Sequence, residues 1–410
     1  MNTFEQIAER ERQFLLQTYN RYPVVLTRGK GVYLWDIEDK KYLDFVSGLG
    51  VNALGHAHPR IVKAIREQAA KIVHVSNLYY HEYQGPLAEK LCGLASAASG
   101  TSSGIKFRAF FSNSGTEAIE GAIKLARLAG HRAGGESKSK LVALDGSYHG
   151  RTFGALSLTG QDKHRKGFEP LLEDVTFVKQ NDIEGLRAAI NDNVCAIVLE
   201  PIFGEGGIYE CSVEFLRECR ALADRHKVAL IFDEIQCGLG RTGTIFAFQS
   251  FGVTPDIVAI AKPIAAGLPL GAFIAKEEFA TAISPGQHGT TFGGGPLACR
   301  VALEFLAIVE EEKLLENVNK VGAYLQQELK GLVEKRAAAT GVRGRGFIQG
   351  IQLEIPARPI VDAALAEGVL FNSTQDTVVR FLPPFLLEEK HVDKGIRVLK
   401  KLLGKKRKAA

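Results

Sequence analysis

The middle of the chain alternates short, continuously apolar runs with amphipathic helical segments, and this alternation constrains the fold more than any other feature. The apolar runs are FRAFF (107–111), KLVAL (140–144), VCAIVL (194–199), VALIF (228–232) and DIVAIA (256–261). Strands that are covered on both faces read as continuous apolar runs, whereas a strand with one solvated face alternates. The pattern therefore predicts an α/β fold with a mostly parallel central sheet sandwiched between helices.

The 410 residues exceed what one simple core usually holds, and the pattern changes at two places. Residues 1–55 contain an amphipathic start and the run GVYLWDIEDKKYLDF, which predicts a β-hairpin. The sheet pattern occupies residues 56–309, and residues 310–410 combine a helical stripe, a β-rich stretch and a final amphipathic helix. We expect a large central domain and a smaller C-terminal α+β domain, against which residues 1–55 pack.

Composition excludes several classes of protein. An apolar fraction of 46% and a charged fraction of 24% are those of an ordinary globular chain. Much of the net charge of +5 lies in the tail at residues 400–408 without aromatic interleaving, so we expect no nucleic-acid partner and leave the role of the tail open. No apolar stretch reaches membrane-spanning length and no export signal is visible, which favours a cytoplasmic protein without membrane contact. The six cysteines lack CxxC pairs, so we expect neither a metal site nor a disulfide framework.

Three of the predicted strands run directly into a charged residue, namely Glu200, Asp233 and Lys262. Ligands bind at the carboxyl ends of the strands in open α/β sheets, so these charges should converge. Lys262 leaves a buried strand and precedes the small-residue loop PIAAGLPLGA, which favours the neutral amine that Schiff-base chemistry needs. A buried Asp233 could hold a pyridine nitrogen protonated. Taken alone, Lys262 could be a solvated lysine, and Asp233 a helix cap or a core ion pair.

The segment SNSGTEA (112–118) lies between a predicted strand and the helical segment EAIEGAIKLARLAG. Its hydroxyls and backbone N–H groups gather at a helix N-terminus, which is a place where anions bind. Ordinary helix capping by Ser114 or Thr116 would explain the same residues. In the company of Lys262 and Asp233, however, the segment favours a phosphate site for a phosphorylated, carbonyl-bearing cofactor.

Aromatic and guanidinium side chains occur close to these motifs. Tyr148 and His149 follow the strand KLVAL, so an aromatic ring reaches the same sheet edge, where it could stack on a flat ring or fill the core. Arg151 and Arg380 stand next to apolar sequence, where a bidentate contact with a carboxylate is strongest. Both arginines could instead form structural ion pairs.

The segment GLGRTG (238–243) matches the GxGxxG dinucleotide fingerprint. The five residues DEIQC separate it from the preceding strand. The sequence beyond it, TIFAFQSFG, reads as β-rich at the point where a dinucleotide-binding fold opens a helix. Both features argue against a dinucleotide site.

A longer set of motifs runs along the whole chain. These are RGKGVYLWD, VNALGHAHP, SNLYY, SNSGTEA, SYHGRT, EPIFGEGG, IFDEIQCGLGRTG, AKPIAAGLPLGA, HGTTFGGGPLA and RFLPP. In their order and spacing the chain resembles, over about residues 19–400, class III (subgroup II) pyridoxal-phosphate-dependent aminotransferases of fold type I, and most closely the acetylornithine branch of that family. Two positions depart from the family pattern: Pro263 stands where glycine is usual, and Gly295 where asparagine is usual. Pro263 fixes a backbone angle beside Lys262 and removes an N–H group.

The resemblance implies pyridoxal 5′-phosphate as the cofactor. The residues implied to bind it are Ser114, Gly115, Thr116, Tyr148, His149, Asp233, Gln236, Lys262 and Thr291. Lys262 would form the Schiff base, Asp233 would contact the pyridine nitrogen, and Gln236 would lie near the ring hydroxyl. Residues 114–116 would hold the phosphate together with Thr291 of a neighbouring subunit, so a homodimer with shared active sites is part of the prediction.

The resemblance also implies the substrate contacts. Arg380 would bind the α-carboxylate, Arg151 a second carboxylate or the acetylated substrate, and Tyr19 would add a further contact. Glu205 would pair with Arg380 when no carboxylate is bound there. The expected reaction transfers the 5-amino group of N2-acetyl-L-ornithine to 2-oxoglutarate, giving N-acetylglutamate 5-semialdehyde and glutamate in arginine biosynthesis. The alternatives are ornithine, succinylornithine or 4-aminobutyrate aminotransferase, and a catalytically silent scaffold on the same fold.

Overall fold

A computed structural model describes residues 3–100 and 104–404 of the chain, so residues 405–408 of the basic tail lie outside the described part. The strands are β1 (Leu26–Lys30), β2 (Tyr33–Asp36), β3 (Lys41–Asp44), β4 (Phe107–Ser112), β5 (Lys140–Leu144), β6 (Val175–Val178), β7 (Val194–Leu199), β8 (Ala229–Asp233), β9 (Ile257–Ile260), β10 (Gly271–Lys276), β11 (Ala339–Arg345), β12 (Ile348–Leu353), β13 (Val369–Leu370), β14 (Asn372–Thr374) and β15 (Val378–Phe381). The helices are α1 (Phe4–Phe14), α2 (Ser47–Gly50), α3 (Pro59–Ala69), α4 (Gln84–Ala98), α5 (Gly115–Gly134), α6 (Phe153–Ser157), α7 (Asp162–Arg165), α8 (Ile183–Ala189), α9 (Val213–His226), α10 (Glu277–Ala280), α11 (Pro296–Glu311), α12 (Leu314–Lys335), α13 (Ala357–Ala366) and α14 (Glu389–Leu402).

The central sheet of the described chain has seven strands in the order β4-β10-β9-β8-β7-β5-β6. The neighbours from β9 through β6 pair in parallel, while β10 runs antiparallel to both β9 and β4. The predicted mostly parallel sheet is therefore confirmed, and each of the five apolar runs forms one of its strands. The prediction missed β6 and β10. Strand β6 is short, and β10 begins inside the small-residue segment that had been interpreted as a loop.

Helices cover both faces of this sheet, which explains its continuous apolar runs. Every residue of β7 and β8 is buried, and α5 and α9 both contact these two strands. Along β7, Ile197 and Leu199 belong to one hydrophobic cluster, whereas Ala196 and Val198 belong to the other. Full burial of a single valine, leucine or isoleucine side chain stabilises the fold by roughly 1.5–3 kcal/mol, so these strands contribute strongly to the stability of the core.

Two smaller sheets flank the central one. The predicted hairpin forms as β2 and β3, and the sheet β1-β2-β3-β13 joins it to a strand from the C-terminal region, because β13 pairs in parallel with β3. The other sheet has the order β11-β12-β15-β14 and lies against α12, whose buried apolar stripe matches the predicted one. The domain boundaries at residues 55 and 309 remain predictions.

The segment after GLGRTG differs from its prediction. Residues 244–252 form turns and a short 3-10 helix, Ala247–Ser250, instead of a strand. The buried carboxylate of Glu234 explains this conformation, because it accepts hydrogen bonds from the N–H groups of Ala247 (2.6 Å) and Phe248 (2.7 Å) and so fixes a tight turn. The β-rich composition reflects burial of Phe246 and Phe248 rather than sheet pairing.

Three further features of the chain also bear on its chemistry. The six cysteines are free thiols, and five of them are buried. Within residues 3–100 and 104–404, no cluster of three or more His, Cys, Asp or Glu side chains could hold a metal ion. In the same residues, no helix is both long and apolar enough to cross a membrane.

Candidate active site

A cavity of about 420 Å³ opens at the carboxyl edge of the central sheet. Its lining includes Ser114, Gly115, Thr116, Tyr148, His149, Arg151, Glu200, Glu205, Asp233, Gln236 and Lys262. These side chains come from segments that follow β4, β5, β7, β8 and β9, because the carboxyl ends of parallel strands share one edge of a sheet. The structure thus brings together the three strand-end charges and the segment SNSGTEA.

Lys262 enters the cavity directly after β9. Its backbone has a φ of 37°, in the left-handed region, and it begins the short 3-10 helix Lys262–Ala265, in which Pro263 is buried. Burial lowers the pKa of Lys262, although the charge of Glu205 opposes this shift. Among the residues that the structure describes, none accepts a hydrogen bond from its Nζ within the usual distance. Lys262 therefore presents an amine that can be neutral and is free to react.

Asp233 ends β8 and is 4% exposed. Its Oδ2 lies 2.8 Å from Nδ1 of His149, and its Oδ1 accepts the N–H of Ile235 at 3.0 Å. The hydrogen bond to a carboxylate places the proton of His149 on Nδ1, and the buried Nε2 has no hydrogen-bond partner in the described residues. The hydrogen bond from His149 therefore orients the Asp233 carboxylate at the wall of the cavity.

Glu200 follows β7 and lines the cavity, and sequence reasoning found no role for it beyond its place at a strand end. Its carboxylate accepts the N–H of Tyr148 at 2.9 Å and the N–H of Gly204 at 3.0 Å. Burial, followed by repulsion from Asp233, raises the pKa of Glu200 to about 7. Through its two hydrogen bonds, Glu200 joins two loops of the site, one carrying Tyr148 and the other leading to Glu205.

At the N-terminus of α5, backbone N–H groups form a cradle of the kind that binds anions. Ser114 is its N-cap and accepts the N–H of Glu117 at 3.3 Å, and the hydroxyl of Thr116 lies 2.8 Å from that of Thr152. The first-turn N–H groups of a helix have no intrahelical acceptors, so those of residues 115 and 116 remain available to a ligand. A Cβ at Gly115 would approach the side chain of Ile235 to 2.8 Å, so glycine allows the close packing here.

Arg380 lies on β15 and is 1% exposed. Its Nη1 donates to Glu205 Oε1 at 2.6 Å and to the carbonyl of Gly204 at 2.7 Å, while its Nε donates to Asn372 Oδ1 at 3.0 Å. Although burial alone would raise it, the charges of Arg380 and Lys262 lower the pKa of Glu205 to about 2. Sequence reasoning missed Asn372. The hairpin register, which places Asn372 opposite Arg380, could have found it.

The remaining predicted residues lie at or beyond the cavity mouth. Arg151 is exposed but lines the cavity, with its guanidinium carbon 5.8 Å from the ring centre of Tyr148. Tyr19 is 74% exposed, and Thr291 is also exposed; neither lines the cavity of its own chain. A contribution of Thr291 to the site of a second subunit therefore stays a prediction.

A sheet covered on both faces, with a lysine, an aspartate and an anion cradle at one edge, is the arrangement of fold type I transferases. The family described as Aminotransferase class-III matches residues 16–403. The chain belongs to the class-III aminotransferases.

Relatives of known name agree with this assignment. The chain is 45% identical over 390 residues to the acetylornithine aminotransferase of Aquifex aeolicus, covering 95% of this chain and all of that relative. Its fold is similar to the solved acetylornithine aminotransferase of Elizabethkingia anophelis (TM-score 0.86, 32% identity, 98% and 99% of the two chains). It is also similar to an ornithine aminotransferase of Toxoplasma gondii that has pyridoxal phosphate at partial occupancy in its active site (TM-score 0.90, 30% identity, 98% and 94% of the two chains).

Proposed function

We propose that this chain is a pyridoxal-phosphate-dependent acetylornithine aminotransferase. It transfers the 5-amino group of N2-acetyl-L-ornithine to 2-oxoglutarate, giving N-acetylglutamate 5-semialdehyde and glutamate, and so serves arginine biosynthesis. The observation that carries the proposal is the convergence of Lys262, Asp233 and the N-terminus of α5 on one cavity. The full-length similarity to named acetylornithine aminotransferases supports the choice of substrate.

The residues of the cavity fit pyridoxal phosphate. The first turn of α5 offers N–H groups to a phosphate through residues 114–116, and the buried Asp233 offers a carboxylate to a pyridine nitrogen. Gln236 would lie near the ring hydroxyl, Tyr148 would stack on the ring, and His149 holds Asp233 in place. When bound, this cofactor stabilises negative charge at the substrate carbon that carries the amino group.

Lys262 has two tasks in this proposal. Its amine would hold the cofactor covalently, which requires the neutral form that burial favours. The same amine, when it is not attached to the cofactor, would move the proton of the substrate carbon next to the transferred nitrogen. Its place on the short helix after a rigid, fully buried strand keeps Nζ within one cavity for both tasks.

The carboxylates of the two substrates would bind to different residues. Arg380 would bind the α-carboxylate of 2-oxoglutarate, and Arg151, with Tyr19, would contact the carboxylate or the acetylated end of the amino donor. Glu205 neutralises Arg380 while the amino donor is bound, because its carboxylate lies 2.6 Å from Nη1. This pairing opposes the binding of a carboxylate to Arg380, which 2-oxoglutarate would reach when the Glu205 side chain moves away from Nη1.

A cytoplasmic homodimer with shared sites is the assembly that we propose. Large apolar side chains are exposed in the segment SNLYY and next to Thr291 in the sequence, including Leu78 (88%), Tyr80 (105%) and Phe292 (66%). Patches of this kind usually mark an interface. Light scattering should give twice the chain mass, and Thr291→Ala should weaken cofactor retention without changing that mass.

Amino-donor profiling tests the proposal. With 2-oxoglutarate as acceptor, kcat/KM should be highest for N2-acetyl-L-ornithine, lower for N2-succinylornithine and ornithine, and lowest for 4-aminobutyrate. The protein should also absorb visible light, and borohydride should bleach that absorbance. A preference for ornithine would move the chain to that branch of the family, and a colourless, inactive protein after incubation with pyridoxal phosphate would indicate a silent scaffold.

A further inference from the structure

The loop that carries Glu205 is held from behind by two side chains of the C-terminal region. Thr374 Oγ1 donates to the backbone carbonyl of Glu205 at 2.7 Å, and Gln375 Nε2 donates to the same carbonyl at 2.9 Å. Two donors therefore converge on one oxygen, whose two lone pairs they can satisfy. We name these two residues the Glu205 clamp.

The clamp itself is rigidly placed. It lies at the tip of the hairpin formed by β14 and β15, where Gln375 (φ 48°) and Asp376 (φ 54°) take the left-handed conformation within the three-residue turn 375–377. Gln375 Nε2 also donates to Gln161 Oε1 at 3.0 Å, and Gln161 in turn donates to the carbonyl of Gly146 at 3.1 Å. The hairpin is thus attached to the loop before Tyr148 as well as to Glu205.

The loop under the clamp has little freedom of its own. The N–H of Phe203 donates to the carbonyl of Tyr209, the N–H of Ile208 donates to the carbonyl of Phe203, and Glu205 lies at the tip between them. A third side chain of the C-terminal region, Arg343, donates to the carbonyl of Gly207 at 3.0 Å. The backbone of Glu205 is therefore fixed, and the part that can still move is its side chain.

The fixed backbone has a consequence for ligand binding. A carboxylate can reach Arg380 when the side chain of Glu205 leaves Nη1, so the Glu205 to Arg380 pair competes with the ligand. A clamped backbone presents the Glu205 carboxylate to Arg380 and lowers the entropy lost in forming the pair. We propose that Thr374 and Gln375 are positioning residues that strengthen the pairing of Glu205 with Arg380. They thereby set how strongly the site discriminates against dicarboxylates while an amino donor is bound. The inference rests on the proposed function.

The test uses the cofactor-loaded enzyme and glutarate, a dicarboxylate that carries no oxo group to react. Thr374→Val and Gln375→Met each remove one donor at nearly constant size, and calorimetry measures the Kd of glutarate. Each variant should bind glutarate more tightly by about fivefold, the factor expected for one hydrogen bond to the competing state. The Michaelis constant for the oxo-acid acceptor should fall in the same sense, while the Michaelis constant for the amino donor stays within about twofold of wild type.

Control variants separate an effect on the position of Glu205 from a general loss of structure. Thr374→Ser keeps the hydroxyl and should restore wild-type binding. Thr340→Val removes a hydroxyl that donates to Gln352 on β12 of the same sheet, away from Glu205, and should leave the Kd unchanged. Unchanged or weaker glutarate binding in both clamp variants would overturn the inference, because a merely loosened fold gives no gain in affinity. If the wild type transaminates none of the donors, the proposed function fails instead, and the glutarate titration still decides on the clamp.

Discussion

Both edges of the central sheet carry a buried aspartate and a lysine, and the two sets differ in how their charges are satisfied. At the edge away from the cavity, Asp256 accepts Lys276 Nζ at 2.7 Å and the N–H of Leu230 at 2.8 Å, and it pairs with Arg220 at 2.9 Å. At the cavity edge, the side-chain partner of Asp233 is the imidazole of His149, and Lys262 has no acceptor in the described residues.

This difference indicates which charges stabilise the fold and which serve chemistry. A buried charge is costly unless partners surround it, so the complete set around Asp256 is what a structural ion pair requires. A charged side chain that faces a cavity and has few protein partners can still form hydrogen bonds and ion pairs with a ligand. The same residue types at the ends of neighbouring strands therefore have opposite roles, and paired substitutions can test the contrast.

The largest expected effect is on Lys262. Lys262→Ala should lower kcat by about 10³-fold or more, because it removes both the covalent attachment and the proton carrier. Its visible absorbance with pyridoxal phosphate should also be lost, with little change in melting temperature. Lys276→Ala is the matched control, which should keep its turnover per folded molecule but lose about 3 kcal/mol in the free energy of unfolding. Full turnover in Lys262→Ala would end the proposal.

The aspartates should show the same contrast at a smaller scale. Asp233→Asn should lower kcat by roughly 10²-fold, since the amide cannot stabilise a protonated ring nitrogen, and should leave the fold stable. Asp256→Asn should destabilise the protein by about 3–5 kcal/mol, because Arg220 and Lys276 would lose their shared partner. Activity assays at low temperature alongside urea unfolding separate the two outcomes. Equal losses of stability in both variants would contradict the comparison.

The smallest effect concerns Glu200 and pH. Its pKa is raised from an ordinary 4.5 to about 7, so the folded protein binds this proton more tightly than the unfolded chain does. The stability that this bound proton adds to the folded protein is therefore completely present below pH 4.5, and it is lost as the pH rises through about 7. Glu200→Gln carries no titrating proton, so the fall in stability between about pH 5 and about pH 8 should shrink by on the order of 2 kcal/mol. The exposed Glu184→Gln serves as control, and identical pH profiles of wild type and Glu200→Gln would refute the assignment.

Much of the site could be predicted because its parts are local. Lys262, Asp233 and Glu200 each stand at the end of an apolar run, and one rule of parallel sheets brings such ends together. The cradle could be predicted because Ser114 precedes a helical pattern directly. The prediction for residues 244–252 was wrong because the apolar composition of that segment is explained by Glu234, a buried acceptor that no local pattern announces.

The sequence by itself determined the doubly covered sheet, the edge at which the chemistry lies and the family, since these follow from periodicity and from motifs within short windows. The tertiary structure alone decided which charges are paired and which are free. It also revealed the hydrogen bonds from Thr374 and Gln375 to the backbone carbonyl of Glu205. Thr374 and Glu205 are 169 positions apart in the chain, so their contact depends on how the C-terminal hairpin packs against the large sheet. Contacts of that kind are set by the summed burial of many side chains, and no short stretch of sequence encodes them.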